Sequence, residues 1–301
     1  MPTLRQSLLS YLTRTYPLYS GSSKFANNKL MRKITGDSNE LVWTTVPGGI
    51  VRAPLNDYIG RTAFYTGDLD PKITWICAQI AKEGDTVIDI GAHIGIVTLW
   101  LSSLAGKSGK VLAFEPNPEL IKLLKETMEY NLISNVTIHP IALGAMRSSL
   151  ELRVPKFYTG AASLIRNREL IDCDVFNVPV YTLSEIVTQE NIKSIRLIKM
   201  DVEGYEADVL RGGREVLENI KPEAIIFEAN DVYTGLVRDL PTFKLLSEYG
   251  YEFFSIPKCI FRMSLKRMDI GNEKKLSGHD FLAVLKGECY EKVAGLVKAS
   301  I

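Results

Sequence analysis

The chain is poor in the residues that build several kinds of site. It holds only four cysteines, Cys77, Cys173, Cys259 and Cys289, and three histidines, with no C-x-x-C pair and no Cys/His cluster at metal-binding spacing. That excludes a cysteine-rich zinc centre, and the cysteines read as reduced thiols of a cytoplasmic protein. Charge of one sign is also missing: 36 Lys and Arg stand against 35 Asp and Glu, a formal net charge of +1. Without a global positive field, no nucleic-acid partner is expected. No continuous apolar run is long enough for a signal peptide or a transmembrane segment.

What is present is a chain of 301 residues with 46% hydrophobic residues, enough for one large domain with appendages. Leu4, Leu8, Leu9 and Leu12 recur at helical spacing beside Arg5 and Arg14, which predicts an amphipathic helix docked onto the body of the protein rather than onto a membrane. Leu41, Trp43 and Thr45 alternate before Pro47, Gly48 and Gly49, the pattern of a hairpin over 41–54. Helix and hairpin make residues 1–69 a prefix to a main domain over 70–301. In that domain Asp70-Pro71 starts a helix bearing Ile73, Ile76, Cys77 and Ile80, and Thr86 to Ile90 reads as a buried strand. Apolar strands at 111–114, 136–138, 197–200 and 224–227 alternate with amphipathic helices. This predicts a doubly wound, mostly parallel α/β sheet of the Rossmann-like kind, which binds ligands beyond the carboxyl ends of its strands. Residues 147–183 switch to polar–apolar alternation and predict an antiparallel insertion, and Tyr251 to Ile256 and Phe281 to Leu285 predict closing strands that need not be parallel.

Chemistry concentrates at three strand ends. Val87-Ile88-Asp89-Ile90-Gly91-Ala92-His93-Ile94-Gly95 carries a carboxylate before a turn of spacing G-x-x-x-G, not the G-x-G-x-x-G of a dinucleotide loop. A negative charge there disfavours a pyrophosphate and suits a ligand with an ammonium and a sulfonium, as in S-adenosylmethionine. The glycines equally serve any tight strand-to-helix turn. Glu115 ends the next strand 26 positions after Asp89, where Rossmann-like folds place the acid that accepts ribose hydroxyls; its alternative is a charge ahead of the helix capped by Asn117. Asp201 and Glu203 follow the strand Leu197 to Met200 on one side of an extended segment, as ligand-orienting groups, a general base, or simple helix-start charges. His93 is a capping residue, a cofactor contact or a base.

The segments Val87 to Gly95, Phe114-Glu115-Pro116-Asn117 and Asp201-Val202-Glu203-Gly204-Tyr205-Glu206, followed by Val209 to Gly213, resemble the FkbM-type methyltransferase family over residues 65–285. Ala142-Leu143-Gly144, Ser163-Leu164 and Phe281 to Val284 extend the likeness. The resemblance implies a class I methyltransferase fold, S-adenosylmethionine as donor, and the hydroxyl of a sugar, glycan or small natural product as acceptor. The expected cofactor contacts are Asp89, Gly91, His93, Gly95, Glu115, Pro116, Asn117, Ala142, Leu143 and Asp201, with Asp89 and Gly91 at the amino-acid end and Glu115 at the ribose. Asp201 or Glu203 is the expected base, and Ser163, Glu228, Asn230 and His279 are expected acceptor contacts, with Asp280 beside them. No metal is expected, because Asp201 and Glu203 lack a third ligand nearby in sequence. A carboxyl-directed or metal-assisted methyltransferase, a nicotinamide-dependent oxidoreductase and a non-catalytic S-adenosylmethionine-binding module are the competing readings. Nothing in the sequence fixes the oligomeric state.

Overall fold

In the computed structural model, residues 2–15, 21–36, 38–165, 172–229, 235–259, 262–276 and 278–299 are described. The prefix comprises helices α1 (Leu4–Arg14), α2 (Ser22–Asn27) and α3 (Lys29–Thr35), the hairpin β1 (Leu41–Val46) and β2 (Gly49–Pro54), and α4 (Tyr58–Thr66). The hairpin is antiparallel with Val46 opposite Gly49, as its alternation predicts. Then follow α5 (Pro71–Ile80), β3 (Thr86–Ile90), α6 (Ile96–Ala105), β4 (Lys110–Phe114), α7 (Pro118–Tyr130) and β5 (Val136–His139). Asp70 and Asn117 cap α5 and α7, and each helix has proline in its first turn, so both start where the sequence signals place them.

The insertion is a separate three-stranded sheet of β6 (Ala142–Leu143), β7 (Ser148–Pro155) and β8 (Cys173–Tyr181), with β7 antiparallel to β8. The chain returns through α8 (Leu183–Gln189), β9 (Leu197–Met200), α9 (Glu206–Gly212), β10 (Ala224–Glu228) and α10 (Pro241–Glu248). It closes with β11 (Glu252–Ser255), β12 (Lys266–Arg267), β13 (Asp280–Val284) and α11 (Glu288–Ala299). The main sheet runs β12-β11-β13-β10-β9-β3-β4-β5; β10, β9, β3, β4 and β5 are parallel, and β13 is antiparallel to both its neighbours. This is the expected doubly wound, mostly parallel sheet of the Rossmann-like kind, its strand order reversing between β3 and β9.

Alternate strand residues feed two cores. Ile88, Leu112, Ile198, Ile225 and Phe281 lie in one, and Val87, Val111, Leu197, Ile226 and Leu282 in the other. Each such side chain removed from water stabilises the fold by about 1.5 to 3 kcal/mol. The prefix has no separate core: Val42, Val51, Leu55 and Phe64 pack in one cluster with Ile94, Leu99, Leu120 and Leu124 of the main domain. The first helix does dock onto the body, through the hydrogen bonds of Gln6, Ser10 and Arg14 and the packing of Leu9, while Leu4, Leu8 and Leu12 stay exposed.

Candidate functional site

Where the strand order reverses, the carboxyl ends of β3, β4, β9 and β10 border a cavity of about 430 Å³. This is the position at which an open α/β sheet leaves a crevice between diverging connections. The loop after β3 is tightly held: the amides of Gly91 and Ala92 both donate to the Phe114 carbonyl, at 3.0 and 2.9 Å. Gly91 has φ +82°, and a Cβ there would run into the backbone carbonyl oxygen of Asp201, so only glycine lets β3 and the end of β9 approach so closely. Gly95, with φ +93°, also serves packing, since a Cβ there would collide with the Leu124 side chain of α7.

Glu115 is almost fully buried on the cavity wall. Its Oε2 accepts from the His93 amide at 2.9 Å and its Oε1 from the Asn117 amide at 2.8 Å. Burial nevertheless pushes this carboxyl up to about 7, against the lowering effect of those two amides. Both oxygens keep a lone pair for a ligand donor. Asn117 caps α7, and Glu115 both accepts the Asn117 amide at the start of that helix and faces the cavity.

At the opposite side stand the acids. Asp201, Glu203 and Glu228 all line the cavity, each offering a carboxylate oxygen within 4.8 Å of the others. Asp201 and Glu203 have no third acid nearby in sequence, but folding brings one beside them, because β10 lies next to β9 in the sheet and delivers Glu228. Burial, reinforced by Asp201, Glu203 and Asp280, pushes Glu228 up to about 8. Asp280, opposite Glu228 in the β10–β13 pair, also lines the cavity and forms an ion pair with the buried Lys72 at 2.9 Å. Lys72 pairs with Asp70 as well.

Three elements far apart in sequence meet at His93, a non-glycine residue with φ +53°. Its Nε2 lies 2.8 Å from Thr159 Oγ1 in the insertion, and that hydroxyl donates to Asp57 Oδ1 of the prefix at 2.8 Å. With the threonine proton committed to Asp57, His93 is held as the Nε2–H tautomer. Burial lowers its pKa and keeps it neutral.

Gly91, His93, Glu115, Pro116, Ala142, Leu143, Asp201, Glu203 and Glu228 thus surround one cavity. Other expected contacts stand elsewhere. Asp89 is fully buried beneath the loop, where Thr98 Oγ1 donates to it at 2.7 Å and Lys199 Nζ lies 3.3 Å away. It meets a lysine rather than the cavity because Asp89 and Lys199 are directly opposed on neighbouring parallel strands. Asn117 and Gly95 are off the wall for the capping and packing reasons given. Ser163 is buried and its hydroxyl donates to the Glu203 carbonyl at 3.5 Å, so it ties the insertion to the acid loop instead of facing an acceptor. His279 is exposed and off the wall, its carbonyl accepting from the Ala229 amide at 2.9 Å. Asn230 lies outside the described residues. Sequence patterns hold no signal for Asp57 or Thr159, which meet each other and His93 across separate elements, or for the pairing of Lys72 with Asp280, whereas Lys199 sits in the third motif and its buried strand position is the available clue.

Comparison with known proteins bears on this geometry. Residues 89–253, more than half the chain, match the model of the methyltransferase FkbM domain. "Methyltransferase 1" of the fungus Beauveria bassiana is 31% identical over 155 residues, which are 45% of this chain and 62% of that protein. The hexuronic acid methyltransferase AglP of Haloferax volcanii is 24% identical over 68% of this chain and 85% of its own length. The 2-O-methyltransferase NoeI of Sinorhizobium fredii is 22% identical over 58% of this chain and 78% of its own.

Proposed function

Because the chain belongs to the FkbM methyltransferase family and takes its methyl group from S-adenosylmethionine, we propose that it methylates a hydroxyl oxygen of a sugar or another polyhydroxylated small molecule. The observation that carries this reading is the acid-lined end of the cavity, where Glu228 holds a proton affinity near neutrality among Asp201, Glu203 and Asp280. Clustered carboxylates accept hydrogen bonds from several hydroxyls at once and can take up the proton that an alcohol must lose. The relatives named for hexuronic acid and for 2-O-methylation support the same acceptor class.

The cavity suits the donor. Pro116 and Leu143 give the cavity apolar wall beside its polar groups, and a ribose diol is the kind of donor pair that Glu115's remaining lone pairs accept. Gly91, Ala142 and Leu143 give the space beside it, and the acids beyond favour a positive centre over a phosphate. When bound, the donor supplies an electrophilic methyl group on a sulfonium, attacked in line. The protein's own work is alignment and proton uptake. The loop of Gly91 to Gly95 and Glu115 fix the donor side, and Asp201, Glu203 and Asp280 orient acceptor hydroxyls. Glu228 receives the proton of the attacking one. Asp201 and Glu203, first expected to be the base, act in this reading by raising the basicity of Glu228.

Glu115→Ala is expected to weaken S-adenosylmethionine binding by about 1 to 3 kcal/mol in a protein that stays folded, read by calorimetry. Unchanged affinity would return Glu115 to a purely structural role. The overall reading is tested by incubating the protein with methyl-labelled donor and a panel of hydroxylated acceptors in EDTA, with mass spectrometry of the products. Transfer is expected to persist in EDTA, since alignment and proton uptake suffice. Activity lost to EDTA and restored by magnesium, calcium or manganese would turn Asp201, Glu203 and Glu228 into a ligand set.

A further inference from the structure

The first 36 residues hold six Lys and Arg, namely Arg5, Arg14, Lys24, Lys29, Arg32 and Lys33, and no Asp or Glu, although the whole chain is close to neutral. Helix α1 in this segment is turned inside out. Its polar stripe faces the body: Gln6 Nε2 donates to the Thr35 carbonyl at 3.1 Å, Ser10 Oγ to the Phe64 carbonyl at 2.5 Å, and Arg14 Nε to the same carbonyl at 3.1 Å. These three sit four residues apart, on one side of the helix. The apolar stripe therefore points out, with Leu4 86%, Tyr11 69%, Leu8 60% and Leu12 55% exposed. On α3, Leu30 and Ile34 are exposed as well, each directly after an exposed lysine, Lys29 and Lys33.

A helix anchored by specific hydrogen bonds, with Leu9 packed inward and Leu4, Leu8 and Leu12 in water, has an outward-facing apolar surface, and such surfaces mark interaction sites. Charge selects the occupant. Two copies of this surface would bring lysines and arginines together with no acid in the segment to answer them, which disfavours self-association. Aliphatic side chains flanked by basic ones match an anionic lipid interface, where the apolar groups enter the acyl boundary and the cations meet the headgroups. Among the described residues no helix is long and apolar enough to cross a membrane, so the contact is peripheral.

We propose that the outward face of α1 and α3 docks the protein onto the surface of an anionic lipid bilayer. The same segment contributes Gly21, Ser23 and Lys24 to the wall of the cavity.

The test is co-sedimentation of the full chain with vesicles of phosphatidylcholine alone and of phosphatidylcholine with phosphatidylglycerol. Binding is expected for the anionic vesicles only and is expected to weaken as salt rises, each basic residue near the surface contributing about five-fold in partition. The pairs Leu8→Glu with Leu12→Glu, and Lys29→Glu with Lys33→Glu, are each expected to lower that partition about ten-fold or more. All four residues are exposed and none belongs to the catalytic cavity, so circular dichroism and transfer to a water-soluble acceptor should stay unchanged in both variants. Equal binding to neutral and anionic vesicles, or no binding to either, overturns the proposal. So does concentration-dependent self-association in light scattering that Leu8→Glu abolishes, which would make the face an interface between copies.

Discussion

Glu228→Gln lowers methyl-transfer turnover by about 10²-fold or more, with donor affinity changed by no more than about two-fold. The amide keeps the shape and a hydrogen-bond acceptor but cannot take a proton. In the unaltered protein kcat/KM is expected to rise with pH through about 8, as burial and then the neighbouring acids delay loss of the Glu228 proton. Asp201→Asn and Glu203→Gln should each move that limb to lower pH, because each removes a negative charge that disfavours the second carboxylate. Stability carries the opposite sign. A carboxyl with a folded-state pKa above its unfolded value is protonated first in the folded protein, so its contribution is full below the ordinary carboxylate range and is lost as pH rises through about 8. Glu228→Gln is therefore expected to be more stable than the parent at pH 8 by about 1 to 2 kcal/mol, allowing for solvent screening. A flat pH–rate profile with full activity in Glu228→Gln would remove it from the chemistry.

Lys199→Met destabilises the fold by about 3 to 5 kcal/mol in urea denaturation, because it leaves the fully buried Asp89 without a countercharge. Against burial, which works the other way, Asp89 and Asp201 hold the Lys199 ammonium above the ordinary lysine range, while burial pushes the Asp89 carboxyl up against the pull of Lys199. Lys199 Nζ also donates to the Gly91 carbonyl at 3.1 Å, so the loss should reach the loop and weaken donor binding as well. The double change Asp89→Asn with Lys199→Met should recover much of the stability, since replacing both partners of a buried pair costs far less than stranding one. A loss below about 1 kcal/mol for Lys199→Met would mean that water reaches Asp89 and that the pair is not the foundation of the loop.

How far the site is legible in the sequence depends on the distance over which its residues act. The glycine loop, the Asn117 cap, the strand-end Glu115 and the antiparallel insertion are local patterns, and each is found where its pattern predicts. Asp89 is different. Its carboxylate at a strand tip looks like a ligand contact until the register of β3 against β9 brings in Lys199, more than a hundred residues away. Glu228 is legible as a strand-end acid, but its meeting with Asp201 and Glu203 depends on β10 being the next strand across. His93 depends on Asp57 and Thr159, one from the prefix and one from the insertion. For α1 the period was visible but the docking side was not, because hydrogen bonds to backbone carbonyls leave no mark in the sequence of the receiving strand or helix.

The central claim is that the transferred methyl group ends on a hydroxyl oxygen at the acid-lined end of the cavity. The most direct measurement uses ¹³C-methyl donor with a sugar acceptor and a sugar acid, followed by nuclear magnetic resonance of the product before and after mild alkali. The account predicts an O-methyl ether on a ring hydroxyl that survives alkali, formed on both acceptors and lost in Glu228→Gln. Label in an ester that alkali removes, or on nitrogen or carbon, would contradict it.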